Sequence, residues 1–268
     1  MNFREKLDTV IKKTNSAVCV GLDFDLKLIP DCLKNDTDAI FKFNKEIIDA
    51  TREFTAAYKP NLAFYETFGV KGFEAFLKTV EYIGSDRFII ADAKRGDIGN
   101  TSKKYAEAFL TNFNCDAITV SPYMGEDSVT PFLEDENKGV FILALTSNKG
   151  SNDFQMLKTE KGTYLYEEVI KTVIKWNVKG NCGLVVGATH PSMLGDVRKL
   201  AGELPFLIPG IGAQGGDLEA TVKYAFVKDK GLALINSSRG IIYASKEADF
   251  AERAGIEAKK LRDQINGI

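Results

Sequence analysis

The stretch Phe88-Ile89-Ile90-Ala91-Asp92-Ala93-Lys94-Arg95-Gly96-Asp97-Ile98-Gly99-Asn100-Thr101 sets the reading of the whole chain. Phe88 to Ala91 is a short apolar run ending in charge, the pattern of a buried strand. Asp92 and Lys94 follow at its C-terminal end, two residues apart, so in an extended strand they share a face. Gly96 lets the backbone bend, which allows Asp97 to swing toward Lys94 or toward a neighbouring subunit. A lysine held between carboxylates stays protonated and fixed in place. Such a group suits proton donation to carbon and makes a poor nucleophile. A structural ion-pair network is the competing reading of the same three charges.

Working outward, the same strand-then-helix pattern recurs from end to end without a linker. Apolar runs predict strands at Ala17–Gly21, Ala56–Lys59, Phe88–Asp92, Ala117–Val120, Gly139–Leu145, Gly183–Val186, Phe206–Ile208 and Leu232–Asn236. Helical periodicity predicts helices at Asp38–Phe54, Glu66–Ile83, Asn100–Asn112, Glu126–Glu134, Thr163–Trp176, Pro191–Lys199, Asp217–Ala225 and Lys246–Ile265. Eight such repeats make an α/β protein, a single (β/α)8 TIM barrel over residues 1–268. A doubly wound open sheet is the alternative, since strand order is not written in one sequence. No G-x-G-x-x-G follows the first strand, which counts against a dinucleotide site. The opening segment from Met1 to Lys13 reads as an extra charged amphipathic N-terminal helix rather than a signal peptide.

The 268 residues are 44% hydrophobic and 27% charged, enough for a full core. A net charge of -2 with both signs interspersed offers no footprint for nucleic acid or a membrane surface. No apolar run approaches a membrane span. Cys19, Cys32, Cys115 and Cys182 are widely spaced and read as reduced structural thiols of a cytoplasmic protein. His190 is the only histidine, set before Pro191 where a structural role at a helix start is expected. Histidine-based acid–base chemistry and histidine-rich zinc sites therefore lack their usual groups, whereas a carboxylate magnesium site stays open. Trp176, Phe109, Phe113, Tyr164 and Tyr166 read as packing, and Arg95 as a solvent or interface residue. Asn148 to Gly162 is a long polar loop, either a lid or a plain surface insertion.

In a barrel the catalytic side chains gather at the C-terminal strand ends. Here those ends carry Asp23, Lys59-Pro60-Asn61, Asp92 and Lys94, Thr146-Ser147-Asn148, Gly187-Ala188-Thr189, and Asn236-Ser237-Ser238-Arg239-Gly240. The seventh strand runs into Pro209-Gly210-Ile211-Gly212-Ala213-Gln214-Gly215-Gly216. The glycines after strand seven, with Ser238 and Arg239 after strand eight, suit a phosphate grip, because exposed N–H groups and a guanidinium both bind phosphate oxygens. The alternative is that the glycines only make turns and Arg239 a surface salt bridge.

Asp92-Ala93-Lys94-Arg95-Gly96-Asp97-Ile98-Gly99-Asn100-Thr101 resembles the D-x-K-x-x-D-I-x-x-T signature of orotidine 5′-phosphate decarboxylases. Val20-Gly21-Leu22-Asp23, Lys59-Pro60-Asn61, the Ile208 to Gly216 run and Ser238-Arg239-Gly240-Ile241 resemble further segments of that family in order and spacing. Val185-Val186-Gly187-Ala188-Thr189 resembles its longer-loop, type 2-like branch. The resemblance implies a homodimeric barrel that converts orotidine 5′-monophosphate to uridine 5′-monophosphate and CO2, the last step of de novo pyrimidine synthesis, without metal or cofactor. It implies Lys94 as proton donor to C6, with Lys59, Asp92 and Asp97 completing a charge array. Asp97 and Thr101 would cross the dimer interface; Asp23, Asn61 and Thr101 would hold ribose hydroxyls. Ser147, beside Thr146, would contact the pyrimidine, Pro209 would line that end, and Gln214, Ser238 and Arg239 would hold the phosphate. Phe24 departs from the proline of many relatives and is expected to alter local packing only. The rival enzymes are a magnesium-dependent sugar-phosphate decarboxylase or aldolase sharing the D-x-K-x-x-D core, and a Schiff-base aldolase using Lys59 or Lys94. A catalytically dead nucleotide-phosphate sensor is the non-enzyme alternative.

Overall fold

The computed structural model describes residues 1–34, 36–188, 191–211, 217–227 and 231–268. Eight strands run as β1 (Val18–Leu22), β2 (Ala57–Pro60), β3 (Phe88–Arg95), β4 (Ala117–Val120), β5 (Gly139–Leu145), β6 (Cys182–Val186), β7 (Phe206–Ile208) and β8 (Ala233–Ser237). Each pairs in parallel with the next, and β8 returns to β1 through Val18↔Ile235 and Cys19↔Asn236. That closing pair makes the sheet a barrel and removes the open-sheet alternative.

Among the described residues, twelve α-helices surround or cap it: α1 (Phe3–Thr14), α2 (Ala39–Thr51), α3 (Leu62–Glu66), α4 (Gly69–Ile83), α5 (Gly99–Ala106), α6 (Glu126–Val129), α7 (Ser151–Phe154), α8 (Leu165–Trp176), α9 (Pro191–Ala201), α10 (Leu218–Ala225), α11 (Arg239–Ile242) and α12 (Phe250–Gly267). The helix expected over Glu66–Ile83 is divided. Gly69 takes a φ of +57°, so α3 ends before it and α4 begins at it. The helix expected over Asn100–Asn112 passes from α5 into a π-helical turn, Glu107–Asn112. The polar Asn148–Gly162 segment holds α7 and is tied at its far side by a bridge between Lys158 and Tyr164.

Strand side chains alternate between two cores. Those facing outward meet the helices in one large apolar cluster. Those facing inward, among them Cys19, Ala57, Phe88, Ile90, Ala117, Phe141, Val185, Leu207 and Leu234, pack with Phe3, Leu7, Val10 and Ile11 of α1. The N-terminal helix is thus a plug in the bottom of the barrel. The Phe3 ring lies 5.8 Å from the rings of both Phe88 and Phe141. Phe3 and Leu7 are fully buried, each contributing about 1.5–3 kcal/mol of apolar burial. A reciprocal cap starts the helix: Asn2 Oδ1 accepts from Glu5 N–H at 2.9 Å, and Glu5 Oε2 accepts from Asn2 N–H at 3.0 Å. With the bottom sealed, the inward alternation continues upward from Ala57 to Lys59, Ile90 to Asp92, Ala117 to Thr119 and Leu234 to Asn236. The polar layer therefore sits directly on an apolar floor.

Candidate active site

A cavity of about 470 Å³ opens at the C-terminal strand ends, the size of a small-molecule site. Its walls include Asp23, Lys59, Asn61, Asp92, Lys94, Ser147, Pro209, Ser238 and Arg239, nine of the residues singled out from sequence. Asp92 is its centre of charge. Lys59 Nζ donates to Asp92 Oδ2 at 2.7 Å, and Lys94 Nζ donates to Asp92 Oδ1 at 2.6 Å. The Lys59 and Asp92 side chains are 5% and 9% exposed, whereas that of Lys94 is 51% exposed and reaches into the cavity. Burial opposes ionisation of Asp92, but the two ammonium groups outweigh it and hold the carboxyl well below its ordinary range. Burial likewise opposes the charge on Lys59, and the fields of Asp92 and Asp23 reverse the sign, raising it above the usual lysine value. Beneath them burial pushes the Cys19 thiol up to about 12, so it stays neutral.

The backbone that delivers Lys94 is irregular. Ala91 pairs with Ile118 and Arg95 with Val120, so Asp92, Ala93 and Lys94 together stand opposite the single residue Thr119. Lys94 has a φ of +44°, a left-handed conformation seldom taken by a side-chain-bearing residue. Thr119 Oγ1 accepts from the Lys94 N–H at 2.9 Å and donates to Asp92 Oδ1 at 3.0 Å. Sequence reading missed Thr119, since a β-branched residue in an apolar strand reads as a strand former. Its one signal was its inward register with Asp92. Arg95, expected at solvent or an interface rather than in catalysis, is half-buried. It pairs with Glu66 and lies 5.3 and 5.5 Å from the Tyr105 and Phe109 rings, on the side of β3 away from the cavity.

The ring of loops is held from outside. Tyr243 donates from its hydroxyl to the Asp23 carbonyl at 2.8 Å and accepts from the Asp25 N–H at 2.6 Å. Asp23 Oδ1 and Asn236 Oδ1 are buried without a hydrogen-bond partner, two acceptors on one side of the cavity. Phe24 is fully buried, with the Phe43 and Phe68 rings edge-on at 5.7 and 5.8 Å, so it serves packing. Asn61 caps α3, its Oδ1 accepting from Ala63 N–H at 3.3 Å. Gln155, also missed, fixes the end of β5: its Oε1 accepts from Thr146 N–H at 2.8 Å, and its Nε2 donates to Thr146 Oγ1 at 2.9 Å. Thr146 Oγ1 lies 2.6 Å from Asn148 Oδ1. Two close approaches require glycine. A Cβ on Gly21 would overlap Ser238 Oγ, and one on Gly187 would fall 2.7 Å from Ser147 Cβ.

Asp97 and Thr101 are not among the residues lining this cavity. Asp97 Oδ1 accepts from the Ile98 N–H at 2.8 Å, and Thr101 is exposed on α5. Gln214, Thr189 and His190 lie outside the described residues. No group of three or more His, Cys, Asp or Glu side chains that could hold a metal ion occurs among the described residues. All four cysteines are free, with Cys32 exposed. No helix among the described residues is long and apolar enough to cross a membrane.

Residues 16–254 match the family described as orotidine 5′-phosphate decarboxylase / HUMPS. The chain belongs to this family. The orotidine 5′-phosphate decarboxylase of Bacteroides fragilis strain YCH46 is 53% identical over 265 residues, covering 98% of this chain and 96% of the relative. The solved OMP decarboxylase of Leishmania donovani superposes with a TM-score of 0.86 at 42% identity, covering 100% of this chain and 98% of that one. The UMP synthase of the same organism gives a TM-score of 0.88 at 44% identity, and there the match covers 100% of this chain and 56% of the longer one. Among members of the decarboxylase family, then, this chain is similar to its relatives over nearly its whole length.

Proposed function

We propose that this chain decarboxylates orotidine 5′-monophosphate to uridine 5′-monophosphate and CO2, the last step of de novo pyrimidine synthesis. The observation that carries the reading is the Lys59–Asp92–Lys94 array on the wall of the cavity at the C-terminal strand ends, in a chain 53% identical to a protein named for this activity. The magnesium-dependent rival is not favoured by those relatives.

The chemistry follows from charge. The C6–carboxylate bond breaks, CO2 leaves, and the electron pair stays on C6. The Lys94 ammonium stabilises that developing carbanion and then supplies the proton, and water restores the ammonium afterwards. A preorganised donor of this kind is worth about 2.7–4 kcal/mol of barrier. Asp92 aims Lys94, and Lys59 keeps Asp92 anionic in a buried place. A Schiff-base role is disfavoured because both amines are salt-bridged to the same carboxylate.

Binding is divided around the cavity. Asp23 and Asn61 would receive ribose hydroxyls, and Ser147 would contact the pyrimidine. Pro209 would line the pyrimidine end, with Ser238, Arg239 and Gln214 at the phosphate. Phosphate binding energy can close the Asn148–Gly162 segment over the substrate. Asp97 and Thr101 would complete the site of a second copy in a homodimer. In support, Ile98, Tyr123 and Met124 are 53%, 81% and 50% exposed near that strand end, an apolar surface in need of a cover. Residues 1–268 would form one domain, and the four free thiols suit a cytoplasmic location.

The test is the fall in ultraviolet absorbance as orotidine 5′-monophosphate is consumed, with and without a chelator. Turnover unaffected by chelation is expected. Absence of turnover by folded protein would remove the decarboxylase reading, and loss on chelation would revive the magnesium rival.

A further inference from the structure

Lys94 reaches the cavity from an irregular stretch of β3. Where β3 and β4 should exchange ladder bonds, Asp92, Ala93 and Lys94 crowd opposite Thr119 alone. Surplus residues in a bulge lose backbone partners, and a buried N–H left unpaired is destabilising. Here the Lys94 N–H finds its acceptor in a side chain, Thr119 Oγ1 at 2.9 Å, rather than in a strand carbonyl. The hydroxyl's single proton then goes to Asp92 Oδ1 at 3.0 Å, the oxygen that also receives Lys94 Nζ at 2.6 Å. One hydroxyl thus ties the main chain of Lys94 to the carboxylate that holds its ammonium. Thr119 is 1% exposed and lines the cavity, so water has little access to replace it. The left-handed φ of +44° at Lys94 needs such restraint, because residues in that region persist only where their surroundings hold them.

We propose that Thr119 is a positioning residue for the decarboxylation, stitching the β3 bulge so that the Lys94 ammonium points at the reacting carbon. The proposal rests on the decarboxylase reading for its kinetic consequence and on geometry for its structural one. Valine at this position keeps shape and β-branching but can neither accept from Lys94 N–H nor donate to Asp92. Serine keeps both bonds.

The experiment compares wild type, Thr119→Val and Thr119→Ser in two measurements. Steady-state turnover of orotidine 5′-monophosphate should show kcat falling roughly 10- to 100-fold in Thr119→Val, the penalty for a displaced catalytic group, with KM within about twofold of wild type. Thr119→Ser should restore kcat to within a fewfold. Competitive labelling with acetic anhydride, read by peptide mass spectrometry, should show Lys94 modified faster in Thr119→Val than in the other two proteins. Should Thr119→Val fold poorly by circular dichroism, Thr119→Ala carries the same expectation. Unchanged kcat and unchanged Lys94 labelling in a folded Thr119→Val would overturn the proposal, as would a fall in KM-dependent binding alone. A wild type with no turnover removes the decarboxylase reading instead, and the labelling comparison then decides the role of Thr119 by itself.

Discussion

Removing Asp92 and removing Lys59 should have unequal effects on stability, although they are two ends of one buried ion pair. The Lys59 ammonium is 5% exposed, and among the described residues its only hydrogen bond goes to Asp92 Oδ2 at 2.7 Å. Asp92, by contrast, keeps Lys94 and Thr119 when Lys59 is gone. In Asp92→Asn a buried cation is stranded, and breaking a buried pair in this way costs about 3–5 kcal/mol. In Lys59→Met the flexible side chain refills the volume and the carboxylate stays paired, so the loss should be about 1–2 kcal/mol. Urea unfolding at pH 7, followed by circular dichroism with a check that the slope is unchanged, measures both. The pH dependence adds a second reading. The Asp92 carboxyl is depressed in the folded state, so its stabilisation is fully present above its unfolded value of 3.8 and fades as pH falls toward the folded one. The gap between wild type and Asp92→Asn should therefore narrow below about pH 4. An Asp92→Asn variant within about 1 kcal/mol of wild type, or one less damaged than Lys59→Met, would refute the view of Lys59 as dependent on this carboxylate.

Four further outcomes are expected. Native protein should offer Ellman's reagent the exposed Cys32 and withhold buried Cys19, Cys115 and Cys182, with denaturant releasing all four. The Cys19 thiol, raised from 9.0 to about 12, contributes stability that is fully present below pH 9 and lost as pH climbs to about 12, so alkaline titration should unfold Cys19→Ala less steeply than wild type. Gly21→Ala pushes Ser238 from the proposed phosphate end, and isothermal titration with uridine 5′-monophosphate should show affinity weakened about tenfold, as for one lost charge-assisted bond. Gln155→Ala removes both bonds to Thr146 and should lower kcat/KM for orotidine 5′-monophosphate roughly tenfold in the spectrophotometric assay. An unchanged value would separate Gln155 from the β5 loop.

The barrel was legible because buried parallel strands are written as short apolar runs, and eight of them ending in polar groups leave few architectures. Boundaries moved by a residue or so at most strands, as with Cys182 joining β6. Lys59, Asp92 and Lys94 were readable because charge at the end of an apolar run needs a reason. What could not be read was how the charges reach one another. The bulge opposite Thr119 and the left-handed Lys94 depend on which strand lies beside β3, and no local pattern marks them. Gln155 was hidden for the converse reason: in a segment full of polar residues, one that turns inward looks like the rest. Asp97 shares a motif with Asp92 and does not line the same cavity.

The central claim, that the Lys94 ammonium does the chemistry while its surroundings bind and aim, is tested most directly by Lys94→Ala. The measurement is kcat on orotidine 5′-monophosphate beside the affinity for uridine 5′-monophosphate, taken on the same folded preparation. The expected result is kcat reduced by at least roughly 10³-fold, as for loss of a positioned proton donor and its charge, with product affinity within about tenfold of wild type. A Lys94→Ala protein that turns over within about tenfold of wild type would contradict it.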